Sequence, residues 1–252
     1  MTVFRATLKD KSVLEKYLRY NNYPGCEFSA ANNILWSEYY DTGYVIIEDM
    51  LSFCKLENDL PVRFSFPVGQ GDTKKAFDCI RDYFNLNNME FSMYLVEKKM
   101  YERIEEWYPG EYTISFDRDS ADYLYEYKTL AELKGKKLHG KRNHINAFIE
   151  QYSDYTYEDI DETNIAECKE LADHWAEDHD SNVSVEENSE YEIKALKFAL
   201  DNMKELGLEG GLIRVANKVV AFTVGEPLTK DTYVIHFEKA YADVRGAYPM
   251  IN

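Results

Sequence analysis

The chain has 252 residues, with 46 acidic and 29 basic side chains and a formal net charge of −17. Its 3 Trp, 21 Tyr and 13 Phe need a packed core, which excludes a disordered chain, and the negative charge disfavours nonspecific nucleic-acid binding. No apolar run reaches the roughly 18 residues that span a bilayer, and no secretory leader is evident. We therefore expect a cytoplasmic protein without an integral membrane segment, and its 4 scattered cysteines predict neither disulfides nor a metal site.

The first half of the chain alternates between helical and β-rich patterns. Asp49 and Met50 separate two β-rich runs and predict a hairpin, and Asp72 is suited to cap a helix. The predicted elements are a helix over 10–20, strands at 44–48, 51–56 and 62–66, a helix over 73–86, a strand at 89–96, a helix over 97–107 and a strand at 112–116.

The second half repeats a similar order. The predicted elements are helices over 141–151, 162–178 and 188–206, strands at 211–216, 219–227 and 232–241, a turn at Asn217–Lys218, and a final helix with Pro249 in its first turn. Gly207 is expected to end the third of these helices. The repeated order predicts an α+β protein of two domains, 1–130 and 131–252, joined near residues 128–140.

The charge is distributed unevenly. Residues 128–142 carry six Lys or Arg and one Glu, so this segment is +5 and the remaining residues sum to −22. Residues 153–192 hold fifteen acids and only Lys169 as a base, which is typical of solvated helical faces. The basic segment either pairs with these acids or binds the phosphates of a ligand, for which Lys137, Lys141, Arg142 and Asn143 are the candidates.

Two turns before predicted helices contain glycine and are candidate anion sites. Arg245–Gly246–Ala247 combines small residues, an arginine and free helix amides, which suits a pyrophosphate. Pro67–Asp72 also precedes a helix, but no Lys-Ser/Thr follows its glycines, which excludes a Walker loop. In both cases the alternative is an ordinary turn.

The end of the last strand carries the strongest chemical signal. Strand alternation places His236 and Glu238 on one face and Phe237 and Lys239 on the other. A carboxylate with a nearby histidine could take a proton from an incoming amine, so Glu238 is the candidate base and His236 its helper. The alternative is a structural polar pair at the strand end.

The runs LKGKKLHGKRNHINAF and YVIHFEKAYADVRGAYPMIN resemble a bacterial family related to the C-terminal catalytic domain of phosphatidylglycerol lysyltransferases. FSAANNILWSEYY and FSFPVGQGD fit the same family, so the resemblance covers nearly the whole chain. It implies two GNAT-like (acyl-CoA N-acyltransferase) domains in tandem, the second incomplete at its C-terminus. Its last strand and the Arg245–Gly246–Ala247 turn then correspond to the segment that holds the donor's pyrophosphate.

The resemblance implies an N-acyl or aminoacyl transferase. The expected donor is a coenzyme A thioester or an aminoacyl-tRNA, and the expected acceptor is an amine or a lipid headgroup. The net charge disfavours tRNA, and the turn at Gly246 lacks the second glycine of the usual GNAT loop. The alternative function is a GNAT-like module that binds a ligand without transferring a group, because a fold alone does not fix an activity.

Overall fold

The computed structural model describes residues 1–182 and 188–252 and has a mixed α+β fold. The described chain divides into two compact units. Unit 1 comprises 1–122 and 228–232, and unit 2 comprises 123–227 and 233–252. The main division thus lies between Asp122 and Tyr123, whereas the sequence analysis placed it between residues 130 and 131.

Unit 1 packs helices on a five-stranded sheet. Its elements are α1 (Lys11–Leu18), α2 (Ala30–Trp36), β1 (Thr42–Ile47), β2 (Met50–Glu57), β3 (Leu60–Ser65), β4 (Val68–Gly69), α3 (Thr73–Leu86), β5 (Met93–Tyr94) and α4 (Lys98–Trp107). The sheet order is β1-β2-β3-β5, with β4 also on β2, and β5 runs parallel to β3. A buried cluster centred on Phe64, Ile80 and Phe84 joins this sheet to α3.

Two-residue turns set the register of the antiparallel strands in unit 1. Glu48 and Asp49 join β1 to β2 with φ of 51° and 57°, and Asn58 and Asp59 join β2 to β3 with φ of 51° and 62°. Such left-handed pairs match the twist of paired strands. The hairpin expected at Asp49–Met50 is confirmed, with its turn one residue earlier.

The loop before α3 is explained by backbone packing. A Cβ on Gly71 would lie 1.8 Å from the carbonyl oxygen of Glu48, and a Cβ on Gly69 would lie 2.8 Å from that of Asp49. Only glycine permits so close an approach. Asp72 then caps α3 by accepting a 3.0 Å hydrogen bond from the amide of Lys75, as the sequence predicted.

Unit 2 has a four-stranded sheet in the order β6-β7-β8-β9. Its elements are α5 (Tyr127–Glu132), α6 (His139–Gln151), β6 (Thr156–Asp159), α7 (Ile165–Asn182), α8 (Asn188–Asp201), α9 (Met203–Leu206), β7 (Glu209–Val215), β8 (Lys218–Thr229), β9 (Thr232–Ala240) and α10 (Ala247–Ile251). Phe148, Leu171, Leu196 and Phe222 are fully buried in it.

Several sequence predictions were wrong in detail. Residues 112–116 form no strand, and only Met93–Tyr94 of the expected 89–96 strand pairs, because β propensity without a neighbouring strand does not create a ladder. The helix expected over 188–206 is interrupted at Asn202, whose side chain bonds the Phe198 carbonyl oxygen at 2.8 Å. The turn between β7 and β8 is Ala216–Asn217, not Asn217–Lys218. Four of the labelled elements were not predicted: α2, β4, α5 and β6.

Candidate functional site

Glu238 lies on β9 and is held by a side chain from beyond α10. Asn252 Nδ2 donates to Glu238 Oε2 at 3.0 Å, and Lys141 Nζ on α6 donates to Asn252 Oδ1 at 2.7 Å. Burial raises the pKa of Glu238 above its usual value, while the Asn252 hydrogen bond and the nearby Lys141 charge lower it in part. The arrangement presents a carboxylate that takes up a proton more readily than one in water.

His236 does not serve as the partner of Glu238. Its Nε2 lies 2.9 Å from Oε1 of Glu226 on β8, and the His236 side chain is only 1% exposed. The structure therefore contains two separate polar contacts on this part of β9: His236 with Glu226, and Glu238 with Asn252.

A buried lysine occupies the opposite face of β9. Lys239 Nζ lies 2.6 Å from Glu192 Oε1 on α8 and 3.2 Å from the centroid of the Trp175 ring on α7. Burial lowers the pKa of Lys239, and the ion pair with Glu192 raises it in part. Tyr248 belongs to the same cluster: burial raises the pKa of its hydroxyl, and Trp175 and the Ala240 backbone lower it in part.

The sequence contained only part of the signal for this cluster. Alternation with Phe237 placed Lys239 on the face that proves to be buried, and a buried ammonium requires a partner. Nothing in the sequence identified that partner as Glu192, 47 residues earlier, because the pairing depends on how α8 packs on the sheet.

The Arg245–Gly246–Ala247 turn leads into α10. Gly246 has φ of 83°, and a Cβ there would lie 2.4 Å from the His144 carbonyl oxygen on α6. Its glycine is thus explained by close packing of the turn on α6. Ala247 is fully buried, whereas Arg245 is exposed and bonds to no residue that the structure describes.

Within the basic segment, Arg142 holds the backbone of a loop, whereas Lys137 is exposed to solvent. Arg142 donates from Nη1 to the backbone carbonyl oxygens of Leu133 and Gly135, which fixes the connection between α5 and α6. Asn143 contacts His139 at 3.3 Å on the exposed face of α6. Lys137 is exposed and has no partner among the described residues.

Among the described residues, no acid of 153–192 forms an ion pair with the basic segment. Within residues 1–182 and 188–252, the only ion pair made by a cation of 128–142 joins Lys134 to Glu132. The positive charge of Lys137 therefore remains available to an anion. Residues 183–187 of the acidic stretch lie outside the described part of the chain.

One group of side chains in unit 1 has the composition of a metal site. The potential ligand atoms of Cys26, Glu27 and Asp122 all lie within 4.8 Å of one another. Asp122 already accepts a 2.8 Å hydrogen bond from the Cys26 amide, and burial raises the pKa of the Cys26 thiol. Hydrogen bonds link the members of this group, since Cys26 Sγ also donates to Asp122 Oδ1 at 3.5 Å.

Comparison with known proteins identifies one protein family. Residues 19–252 match the family model described as phosphatidylglycerol lysyltransferase, C-terminal. An uncharacterized protein of Mycoplasmoides gallisepticum is 28% identical over 151 residues, which cover 57% of this chain and 46% of that protein. The match thus spans less than half the length of this relative.

Two solved structures are similar to the whole chain. A conserved protein of unknown function from Bacteroides thetaiotaomicron is 34% identical, with a TM-score of 0.88 over 100% of this chain and 84% of that one. The C-terminal domain of a protein assigned as a lysylphosphatidylglycerol synthetase from Agrobacterium fabrum is 14% identical. Its TM-score is 0.55, and the match covers 97% of this chain and 70% of that one. The second likeness concerns the fold alone. Among the described residues, no helix has both the length and the apolar character needed to cross a membrane.

Proposed function

The chain belongs to the phosphatidylglycerol lysyltransferase C-terminal family, and we propose that it transfers an aminoacyl group to a lipid headgroup. The observation that carries this proposal is the family match over residues 19–252. The partly buried Glu238 carboxylate supports it by supplying a base of the kind that such a transfer needs.

The tandem GNAT-like organisation is part of the proposal. In unit 1, the helices α1 and α2 precede the antiparallel strands β1–β3, and α3 follows after the short β4. In unit 2, the helices α7, α8 and α9 precede the strands β7–β9, and α10 follows. In unit 1, α3 is followed by β5, which runs parallel to β3. This similar order of helices and strands supports a duplicated fold, with the transfer site assigned to unit 2.

The proposed step is a transesterification in which Glu238 is the general base. A headgroup hydroxyl oxygen attacks the carbonyl carbon of the aminoacyl ester while its proton passes to Glu238. The ester C–O bond then breaks, and the departing hydroxyl of the donor takes the proton back from Glu238. Oε1 of Glu238 can accept this proton, because Asn252 bonds to the other oxygen.

The donor is proposed to be an aminoacyl-tRNA. The lysyltransferase family favours an aminoacyl ester over a coenzyme A thioester, and the exposed Lys137 offers a contact for the donor's phosphates. Lys141 has a different role, because it acts on Glu238 through Asn252.

The experiment that tests this function offers the chain lysyl-tRNA, alanyl-tRNA or acetyl-CoA together with phosphatidylglycerol vesicles. Extracted lipids are analysed by mass spectrometry. The proposal predicts an aminoacylated lipid with at least one of the two tRNA donors and no product with acetyl-CoA. Product from acetyl-CoA alone would assign the donor to coenzyme A thioesters instead.

Absence of product from every donor, with binding of a tRNA donor retained, would support the alternative of a binding module without transfer. Lys137→Gln separates donor binding from folding, because this side chain is exposed and has no described partner. It should weaken donor binding and flatten its salt dependence. Arg142→Ala is a poorer test, since it also releases the Leu133 and Gly135 carbonyl groups.

A further inference from the structure

Unit 1 contains a cavity of about 530 Å³ that the proposed transfer site in unit 2 does not use. Its size lies within the range of small-molecule sites, roughly 300–1,000 Å³. It is lined by the segment Tyr20–Tyr23, the turn from Phe66 to Gly69, Thr73 and the first residues of α4. All of these belong to unit 1.

The lining residues divide by chemistry into an apolar floor and a charged rim. Met50, Phe66, Val68 and Met100 are buried, and they supply the floor of methyl, thioether and aromatic groups. The rim residues are exposed, with three cations against one acid: Lys98, Lys99, Arg103 and Glu97. The cavity is therefore locally positive in a chain whose net charge is −17.

The two lysines occupy positions that the helix itself disfavours. Lys98 and Lys99 are the first two residues of α4, where the helix dipole repels cations, and this first turn contains no acid. Lys98 has a single ion pair, 3.9 Å from Glu102, and Lys99 has none with any described residue. The Arg103 guanidinium stacks over Phe66 and Trp107 at 5.7 and 5.2 Å, which keeps it at the cavity edge.

We propose that this cavity binds an anionic amphiphile, with its acyl chain over Met50, Phe66 and Met100 and its head among Lys98, Lys99 and Arg103. An apolar floor alone would accept any apolar molecule, and the cationic rim adds selection for an anionic head. A phosphodiester lipid and a fatty carboxylate share this chemistry. The proposal concerns binding in unit 1 and does not require that transfer occurs in unit 2.

The experiment is calorimetric titration of the full chain with monomeric short-chain ligands. The phosphodiester arm is dihexanoyl phosphatidylglycerol, the carboxylate arm is decanoate, and the zwitterionic control is dihexanoyl phosphatidylcholine. Glycerol phosphate serves as a head without a chain. We expect at least one anionic amphiphile to bind about tenfold or more tightly than both controls, and the arm that binds identifies the source.

Lys98→Gln/Lys99→Gln and Arg103→Gln should each weaken binding about tenfold, whereas Lys55→Gln, an exposed lysine on β2 of the same unit, should not change it. Thr73→Trp should block the cavity for every ligand. Equal binding of phosphatidylcholine, or unchanged binding in both rim variants, would overturn the proposal, as would absence of binding in both anionic arms. Glu238→Gln should leave this binding intact. Binding of an anionic amphiphile by the parent chain, with no lipid product from any donor, would refute the proposed function alone.

Discussion

Replacing Glu192 with glutamine tests whether the buried ion pair of unit 2 stabilises the fold. The Lys239 side chain is only 5% exposed, so Glu192→Gln keeps a hydrogen-bond acceptor but removes the negative charge that pairs with the buried ammonium. Removing one member of a buried pair costs about 3–5 kcal/mol. Because the Glu192 side chain is one-third exposed, its charge is partly screened, and we expect about 3 kcal/mol.

The matched variant is Lys239→Met, which removes the cation and keeps an unbranched side chain against Trp175. Glu192 then retains access to water, so the expected cost is within about 1.5 kcal/mol. Urea denaturation at neutral pH, followed by circular dichroism, measures both free energies of unfolding. The reasoning is refuted if Glu192→Gln lies within about 0.5 kcal/mol of the parent, or if Lys239→Met is the more destabilised variant.

Three further predictions concern single positions. Burial raises the pKa of Glu238, so the contribution of this group to stability is present below the unfolded pKa of 4.5 and is lost as pH rises through the folded pKa. Glu238→Gln should therefore be at least as stable as the parent at pH 7 and should flatten the pH profile of the free energy of unfolding. A less stable variant would contradict this. The double variant Lys98→Gln/Lys99→Gln should raise the free energy of unfolding by about 0.3–1 kcal/mol for each lysine, because both charges oppose the dipole of α4. A lower melting temperature in this variant would contradict the prediction. Gly246→Ala should lower the free energy of unfolding by more than about 1 kcal/mol, because φ is 83° and the added Cβ would meet the His144 carbonyl oxygen. Thermal unfolding measures this change, and an unchanged melting temperature would contradict the prediction.

Helix bounds were predictable where the capping or terminating residue lies next to the helix in the sequence. The bounds of α3 follow from Asp72 as its cap and from apolar spacing, and both were correct. Gly207 adopts φ of 67° and ends the helical region, as expected of a glycine after a helix. These features depend on residues close in sequence, so no knowledge of tertiary packing was needed.

The contacts of the candidate site were predictable only in part. The sequence analysis paired Glu238 with His236, but the hydrogen-bond partner of Glu238 proved to be Asn252. His236 instead meets Glu226 across the β8–β9 pair. The resemblance identified the family, whereas these pairings depend on strand register and on which helix covers each face of the sheet.

The central claim is that Glu238 is the base in a group transfer, and the most direct measurement is the single-turnover transfer rate of Glu238→Gln. Glutamine still accepts the Asn252 hydrogen bond but cannot take a proton. Glu205→Gln is the matched control, because Glu205 is an exposed acid of the same unit. The account predicts a rate reduced by about 10²-fold or more in Glu238→Gln, with folding and donor binding retained and the control at the parent rate. Transfer by Glu238→Gln at the parent rate would contradict it.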